Sequence, residues 1–270
     1  TSGFSTGLVI RGGNTDQNLI LLDGITVYNP SHLGGLFSNF IVDAVKDAEL
    51  IKGGYNAEYG GRLSAVLDIR SREGNRNKFE GSTSISVLSA QTTLEGPFLN
   101  GAWLLAGRRT YFDKLLPKVT DFNFPYYFYD LQGHVFTDLN EKDRISLSFY
   151  RGVDDLQYSD LDLDSDWGNE TASLAYRRVF NEKIIGNFLL ANSRFYTRFG
   201  LGGDAGINEY NPLRDITLAG DVSYFKSQEF NLFFGAELKD LDIKYNGLVK
   251  VSISHTETHA IAFALSELNY

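Results

Sequence analysis

From Phe79 onward the chain alternates apolar and polar residues with a period of two. Phe79, Gly81, Thr83, Ile85 and Val87 fall on one face, and Glu80, Ser82, Ser84 and Ser86 on the other. Ile145, Leu147 and Phe149 alternate with Arg144, Ser146 and Ser148. Ile216, Leu218, Gly220, Val222 and Tyr224 alternate with Thr217, Ala219, Asp221 and Ser223, and Leu232, Phe234, Ala236 and Leu238 with Phe233, Gly235, Glu237 and Lys239. Successive side chains of a strand point to opposite faces, so the pattern predicts strands with one apolar face and one polar or small face.

The N-terminal stretch follows another grammar. Leu19-Ile20-Leu21-Leu22 is a short apolar run closed by the turn signal Asp23-Gly24, and Ile25-Thr26-Val27-Tyr28 is a second β-like piece ended by Asn29-Pro30. Asp43 stands where its carboxylate can cap a brief helical turn through Lys46. Ala48 to Ile51 reads as another strand, Gly53-Gly54 as a turn, and Ala65 to Ile69 as a last strand before the polar stretch Ser71 to Lys78. Together these make a small mixed α/β unit, too short for a comfortable core of its own.

The connections after Phe79 alternate in length. Phe98 to Gly101, Asn140 to Asp143, Asn181 to Lys183 and Ser227 to Glu229 read as tight turns. Asp113 to Pro125, Asp154 to Gly168, Gly200 to Pro212 and Tyr245 to Thr258 read as long loops. Short turns on one side and long loops on the other fit an outer-membrane barrel, as do strands of roughly 10 to 14 residues. Aromatic runs such as Tyr126-Tyr127-Phe128-Tyr129, Phe149-Tyr150 and Phe195-Tyr196 would supply an interfacial girdle.

Composition narrows the choice. The net charge of −9 excludes a phosphate-binding surface, so nucleic acid is not an expected partner. Without cysteine the chain has neither a disulfide framework nor a thiolate metal site. No apolar run approaches the roughly 20 residues of a spanning helix, so any crossing of a membrane has to be made by a closed barrel, in which every backbone polar group finds an internal partner. The chain starts at Thr1, contains no Met and stops inside an alternating segment, Ala260 to Leu268. It is therefore expected to be an internal piece, with any signal peptide outside it.

In order and spacing, Ile10-Arg11-Gly12, Leu21-Leu22-Asp23-Gly24-Ile25-Thr26-Val27 and the stretch from Asp43 to Gly61 resemble the plug of TonB-dependent receptors. In that family an Ile-Arg-Gly segment precedes an apolar strand ending in Asp-Gly. A short helix follows, then a strand ending in Arg-Gly-Pro, then Ala-x-Tyr-Gly and a Gly-rich final strand. The matching pieces here are Glu49-Leu50-Ile51-Lys52-Gly53-Gly54, Ala57-Glu58-Tyr59-Gly60-Gly61 and Ser64-Ala65-Val66-Leu67-Asp68-Ile69. The plug-motif positions are thus Asp23, Gly24, Glu49, Glu58, Tyr59, Gly60 and Gly61. Lys52 stands where Arg is usual, Gly54 where Pro is usual, and Arg62 follows Gly61 where many members are smaller and uncharged. Those departures resemble a branch of the family common in Bacteroidota.

The resemblance implies a fold class: an α+β plug fragment followed by an antiparallel up-and-down transmembrane β-barrel. The barrel would be partial, with about ten strands of a closed barrel of about 22. It sets expected domains of 1–74, the C-terminal part of the plug, and 75–270, the N-terminal part of the barrel. It also makes Arg11, Lys52 and Arg62 candidate latches between plug cations and carboxylates of the barrel wall, because charges in a lumen need partners.

Other constellations lead nowhere chemical. Asp160, Asp162, Asp164 and Asp166 alternate as at the start of a calcium loop, but Ser165 replaces the required glycine and Thr171 the closing Glu. A solvated acidic outer loop is the expectation. His255 and His259 would lie about 13 Å apart on a strand, too far to share zinc. Neither a nucleophile elbow nor a phosphate-binding loop occurs, so the expectation is a non-enzyme without cofactor.

The function implied by the resemblance is uptake across the bacterial outer membrane of a scarce or bulky ligand, energised by TonB–ExbB–ExbD through a segment outside this chain. The alternative is a surface receptor for signalling or binding with little transport. Expected partners are TonB, outer-membrane lipids, an extracellular ligand and, as a further candidate, a surface lipoprotein.

Overall fold

The structure, a computed structural model, describes residues 10, 17–54, 58–62, 64–119, 124–203, 206–226 and 231–244. Within the N-terminal part, β1 (Leu19–Leu22), β2 (Ile25–Thr26), β5 (Val45–Ile51) and β6 (Val66–Ser71) form a four-stranded sheet in the order β2-β1-β6-β5. β1 runs parallel to β6, while the other two pairs are antiparallel. β3 (Ser31–His32) and β4 (Phe37–Ser38) make a separate small hairpin.

The unbroken apolar run of β1 reflects its central place in this sheet, where Leu19, Ile20 and Leu22 are all buried. At the Asp23-Gly24 turn both residues have positive φ, 52° and 81°. The Asp23 carboxylate accepts from the Ser71 backbone N–H at 2.8 Å and from the Ser71 hydroxyl at 2.7 Å, tying the turn to the end of β6. Gly24 also lies against the barrel, since a Cβ there would meet Leu189 at 3.4 Å. The turn thus needs its glycine for conformation and for close approach.

One helical expectation changes. Asp43 sits in the first turn of a short 3-10 segment, Val42–Ala44, that gives way to β5 at Val45, and no side chain caps it. The Asp43 carboxylate instead accepts from Gln91 Nε2 of the barrel at 2.9 Å.

From residue 80 nine strands form one antiparallel sheet, each paired with its sequence neighbours. They are β7 (Glu80–Ile85), β8 (Ser89–Phe98), β9 (Gly101–Thr110), β10 (Tyr126–Asp138), β11 (Asp143–Tyr158), β12 (Leu163–Asn181), β13 (Ile184–Leu201), β14 (Ile207–Phe225) and β15 (Asn231–Ile243). The alternating segment from Ala260 to Leu268, the loop from Tyr245 to Thr258 and the turn from Ser227 to Glu229 fall outside the described residues, so the count of about ten stands at nine among the described ones.

The tight turns at Phe98–Gly101, Asn140–Asp143 and Asn181–Lys183 lie where expected, and the segment after β9 holds a helix, α1 (Phe112–Val119). Two expected loops differ. Most of Asp154–Gly168 and Gly200–Pro212 is strand, because β11 to β14 run for 16 to 19 residues and continue as paired hairpins past the expected loop starts. Asp155 still pairs with Asp166, and Phe199 with Glu209.

The two faces of this sheet sort by solvent. Leu131, Leu174, Leu190 and Leu218 stand exposed on the outer face. Gln132, Ser148, Thr171, Ser193 and Thr217, on the other face, are buried beneath the plug. An apolar exterior with a polar interior is the arrangement of a membrane barrel. The aromatic run at the start of β10 divides between these faces. Tyr126 and Phe128 are buried inward, so only Tyr127 and Tyr129 are placed for a girdle.

Candidate functional site

Plug and barrel wall meet in a buried cluster of charges centred on His32 of β3. Its Nδ1 lies 2.7 Å from Asp154 Oδ2 and its Nε2 lies 2.8 Å from Asp130 Oδ1. The ring stacks on Phe128 with centroids 4.0 Å apart and planes 7° from parallel. Asp154 Oδ1 accepts in addition from the Leu33 backbone N–H at 3.2 Å and from the Tyr126 hydroxyl. Asp130 Oδ1 accepts from the Tyr150 hydroxyl at 2.8 Å, and its Oδ2 from Arg108 Nε at 2.8 Å and Arg108 Nη2 at 2.5 Å. The same guanidinium reaches back to the plug and donates to the Ser38 carbonyl.

This geometry fixes the state of the ring. A neutral imidazole has one donor and one acceptor nitrogen, whereas two carboxylates already accepting from other donors offer only acceptors. An imidazolium satisfies both contacts, and with Arg108 it balances the two aspartates to zero net charge. Burial alone would lower the affinity of His32 for its proton, but the hydrogen bonds to Asp130 and Asp154 outweigh it and carry the pKa above the ordinary 6.5. His32, Asp130 and Asp154 are all essentially withdrawn from solvent, so none can lose its partner without an uncompensated buried charge.

Further ties run down the same interface. Tyr28 donates to Asp215 Oδ2 at 2.6 Å, and burial together with that carboxylate pushes its phenol pKa up. Lys239 bridges Asp215 at 3.2 Å and Thr26 Oγ1 at 3.2 Å. The Asn169 amide donates to the Asn29 carbonyl at 2.6 Å, and the Ser193 hydroxyl to the Thr26 carbonyl at 2.6 Å. Towards the tight-turn end Arg72 pairs with Glu95 at 2.7 Å and Glu73 with Arg144 at 3.0 Å.

Comparison with known proteins agrees with this architecture. The TonB-dependent Receptor Plug Domain family matches residues 1–66. Residues 1–66 thus belong to the plug family of TonB-dependent receptors, and the strands that follow share the barrel fold of such receptors. The receptor chain is 31% identical over 90 residues to the TonB-dependent transporter Oar of Myxococcus xanthus, a match spanning 33% of this chain and 8% of Oar. Its fold is similar to that of a ferric enterobactin receptor of Pseudomonas aeruginosa, in a mutant form solved with enterobactin, at a TM-score of 0.64 and 16% identity over 88% of this chain and 43% of that one. The outer-membrane transporter YddB of Escherichia coli follows at a TM-score of 0.58 and 14% identity, over 85% of this chain and 41% of that one. The chain therefore spans less than half the length of these relatives. It is a protein of the bacterial outer membrane.

Within the receptor chain the residues singled out from sequence fall in several places. Arg11 lies outside the described residues. Lys52 is exposed and pairs with no carboxylate among the described residues. Arg62 is half-buried, and its Nη1 donates to the Gly61 carbonyl at 3.1 Å. Asp23 and Gly24 line a pocket of about 490 Å³ together with Tyr59, Asp68, Arg70 and His134. Glu49 on β5 is exposed and lies opposite Asp68, while Glu58 and Gly60 are exposed beside Tyr59. Gly61 has φ 76°, a left-handed turn residue. None of the described ones among these joins the His32 cluster.

Proposed function

We propose that the receptor chain is the gating portion of an active importer. It would admit a scarce or bulky ligand through the barrel when the plug moves, with energy delivered by TonB–ExbB–ExbD through a segment outside residues 1–270. The observation that carries this reading is the His32 cluster: plug and wall are joined by a few directional, charge-balanced contacts that can be broken as a unit. A permanently fused plug would need only apolar packing. Arg11 is retained as a second proposed latch, since a guanidinium can grip two carboxylate oxygens at once. The proposed domain boundary stays at 74/75, supported by the ion pairs of Arg72 and Glu73 with the wall just before the first barrel strand. A surface lipoprotein remains a proposed partner.

The test is a reversible staple. The chain has no cysteine, so Thr26→Cys with Ser193→Cys in the full-length receptor would place one thiol on the plug and one on the wall where the Ser193 side chain meets the Thr26 backbone. The oxidised strain should grow like a receptor deletion wherever the deletion has a growth defect, and reduction should restore it. Normal growth with the staple closed would exclude an importer whose plug moves and favour a surface receptor for binding or signalling.

A further inference from the structure

The inner wall of the barrel changes character along its height. Beneath and beside the plug it is polar, and β11 to β14 contribute Asp154, Asn169, Ser193 and Asp215, all buried. Two residues further towards the long-loop end, on the same face of the same strands, stand Leu156, Trp167, Phe195 and Leu213. Their inward direction follows from register and contact. Trp167 stacks against Tyr126 in the His32 cluster, Phe195 lies opposite Asn169, which bonds the plug, and Leu213 lies opposite Phe195. Beyond them Phe199 and Ile207, again on that face, are 40% and 56% exposed.

Over the same stretch the outward face turns polar, with Asp155, Gln157, Asp164, Asp166 and Arg198. Above the membrane band, then, the inner face is mainly apolar, interrupted by Ser165, Thr197, Glu209 and Asn211, and the outer face is mainly polar, the reverse of the strands' lower halves. A wall that only retained water would gain nothing from this. Exposed apolar surface of this kind, set in a concavity, marks a binding surface. The hairpin tip above it is acidic, because from Asp155 to Asp166 there are five aspartates and neither Lys nor Arg, and of the five only Asp166 has an arginine, Arg198 at 3.5 Å, among the ion pairs of the described residues.

We infer that the ligand received by this upper inner wall is a peptide with apolar side chains and net positive charge. The inference rests on the uptake reading above and names its substrate class. The apolar wall supplies the area that excludes water from the bound side chains, and the acidic tip draws cations towards the mouth while repelling anionic ligands. A glycan, whose surface is mostly hydroxyl, would leave the leucines and phenylalanines uncovered.

The experiment uses the detergent-solubilised full-length receptor and three labelled probes: an alternating Leu–Lys hexapeptide, its Leu–Glu counterpart and a neutral oligosaccharide of similar length. The Leu–Lys peptide should bind saturably and at least tenfold more tightly than either other probe, and its binding should weaken with salt. Phe199→Ser with Ile207→Ser should weaken it at least tenfold, Asp160→Asn with Asp162→Asn severalfold, and the outward control Gln157→Ser should leave it unchanged. Tighter binding of the oligosaccharide or the Leu–Glu peptide would overturn the proposed class. Absence of saturable binding by any probe would overturn ligand binding at this wall, leaving it to a chain segment or a second receptor copy. The staple test is independent of all three, so peptide binding with a failed staple would sink the transport reading alone.

Discussion

The plug sheet and the barrel sheet bury their apolar residues in opposite directions. In the plug, Ile20, Leu22, Val27, Phe40 and Ile69 face one another and close a small core that also takes in Tyr150 of the wall. In the barrel the large apolar side chains on the outer face point away from the protein, and the buried inner positions include many polar ones, Gln132, Ser148, Thr171 and Asp215 among them. The same preference for leaving water produces both, but for the barrel the apolar phase is the bilayer itself. The plug is therefore held in the lumen largely by polar contacts, beside one small apolar patch where Ile41 and Ala44 meet Leu104 and Ala106 of the wall.

The largest effect expected from this contrast concerns the chain as a whole. Residues 1–270 expressed without detergent should give insoluble material, since an outward apolar face and open strand edges both invite association. A monodisperse soluble monomer in ultracentrifugation would break the comparison.

Next comes the latch. His32→Ala in the full-length receptor leaves Asp154 buried without its cationic partner and Asp130 with Arg108 alone. It should weaken plug seating by about 3–5 kcal/mol, read as a lower denaturant midpoint for protease cleavage of the plug. Unchanged protection would mean that the cluster carries no seating energy. On the barrel side, Leu218→Arg should cost about 2–4 kcal/mol of folding stability in lipid if Leu218 lies near the bilayer midplane. Arginine tolerated there would contradict an outward lipid-facing register.

The smallest effect is in pH. The pKa of His32 is raised in the seated state, so its contribution to seating is fully present below about 6.5, the ordinary value, and is lost as pH rises through the higher seated value. Plug protection should therefore decline towards alkaline pH in the native receptor, and His32→Gln should flatten that decline. A native profile identical to that of His32→Gln would show that the ring does not carry the charge.

How much of this could be read from the sequence depended on range. The tight turns, the alternating strands and the Asp23-Gly24 turn announce themselves within a few residues, because turn chemistry and period-two burial are local. The His32 cluster does not: its two carboxylates lie 98 and 122 residues away, and Ser31-His32-Leu33 has no more apparent purpose than any polar loop. The available hint was an acidic residue, Asp130 or Asp154, on the inward phase of a strand. The long hairpins were read as loops for a different reason. Along β13 the apolar residues move from the even positions Phe188 and Leu190 to the odd positions Phe195 and Phe199, so the alternation changes phase without stopping. Arg11, by contrast, was singled out on family likeness and awaits its mutant.

The pairing order of the strands has a further consequence, for the sequence of events in assembly. Each barrel strand pairs with its sequence neighbour, across a short connection except where α1 lies between β9 and β10, whereas β1 and β6 must meet in parallel across more than forty residues, and Thr26 meets Lys239 at a separation of 213. Loop-closure entropy makes near contacts quick to form and distant ones slow. The wall should therefore zip up hairpin by hairpin, and the plug should settle last. In pulse-labelling hydrogen exchange, amides of β11 to β13 should gain protection before those of β1 and β6, so that the part built to move is also the last to arrive.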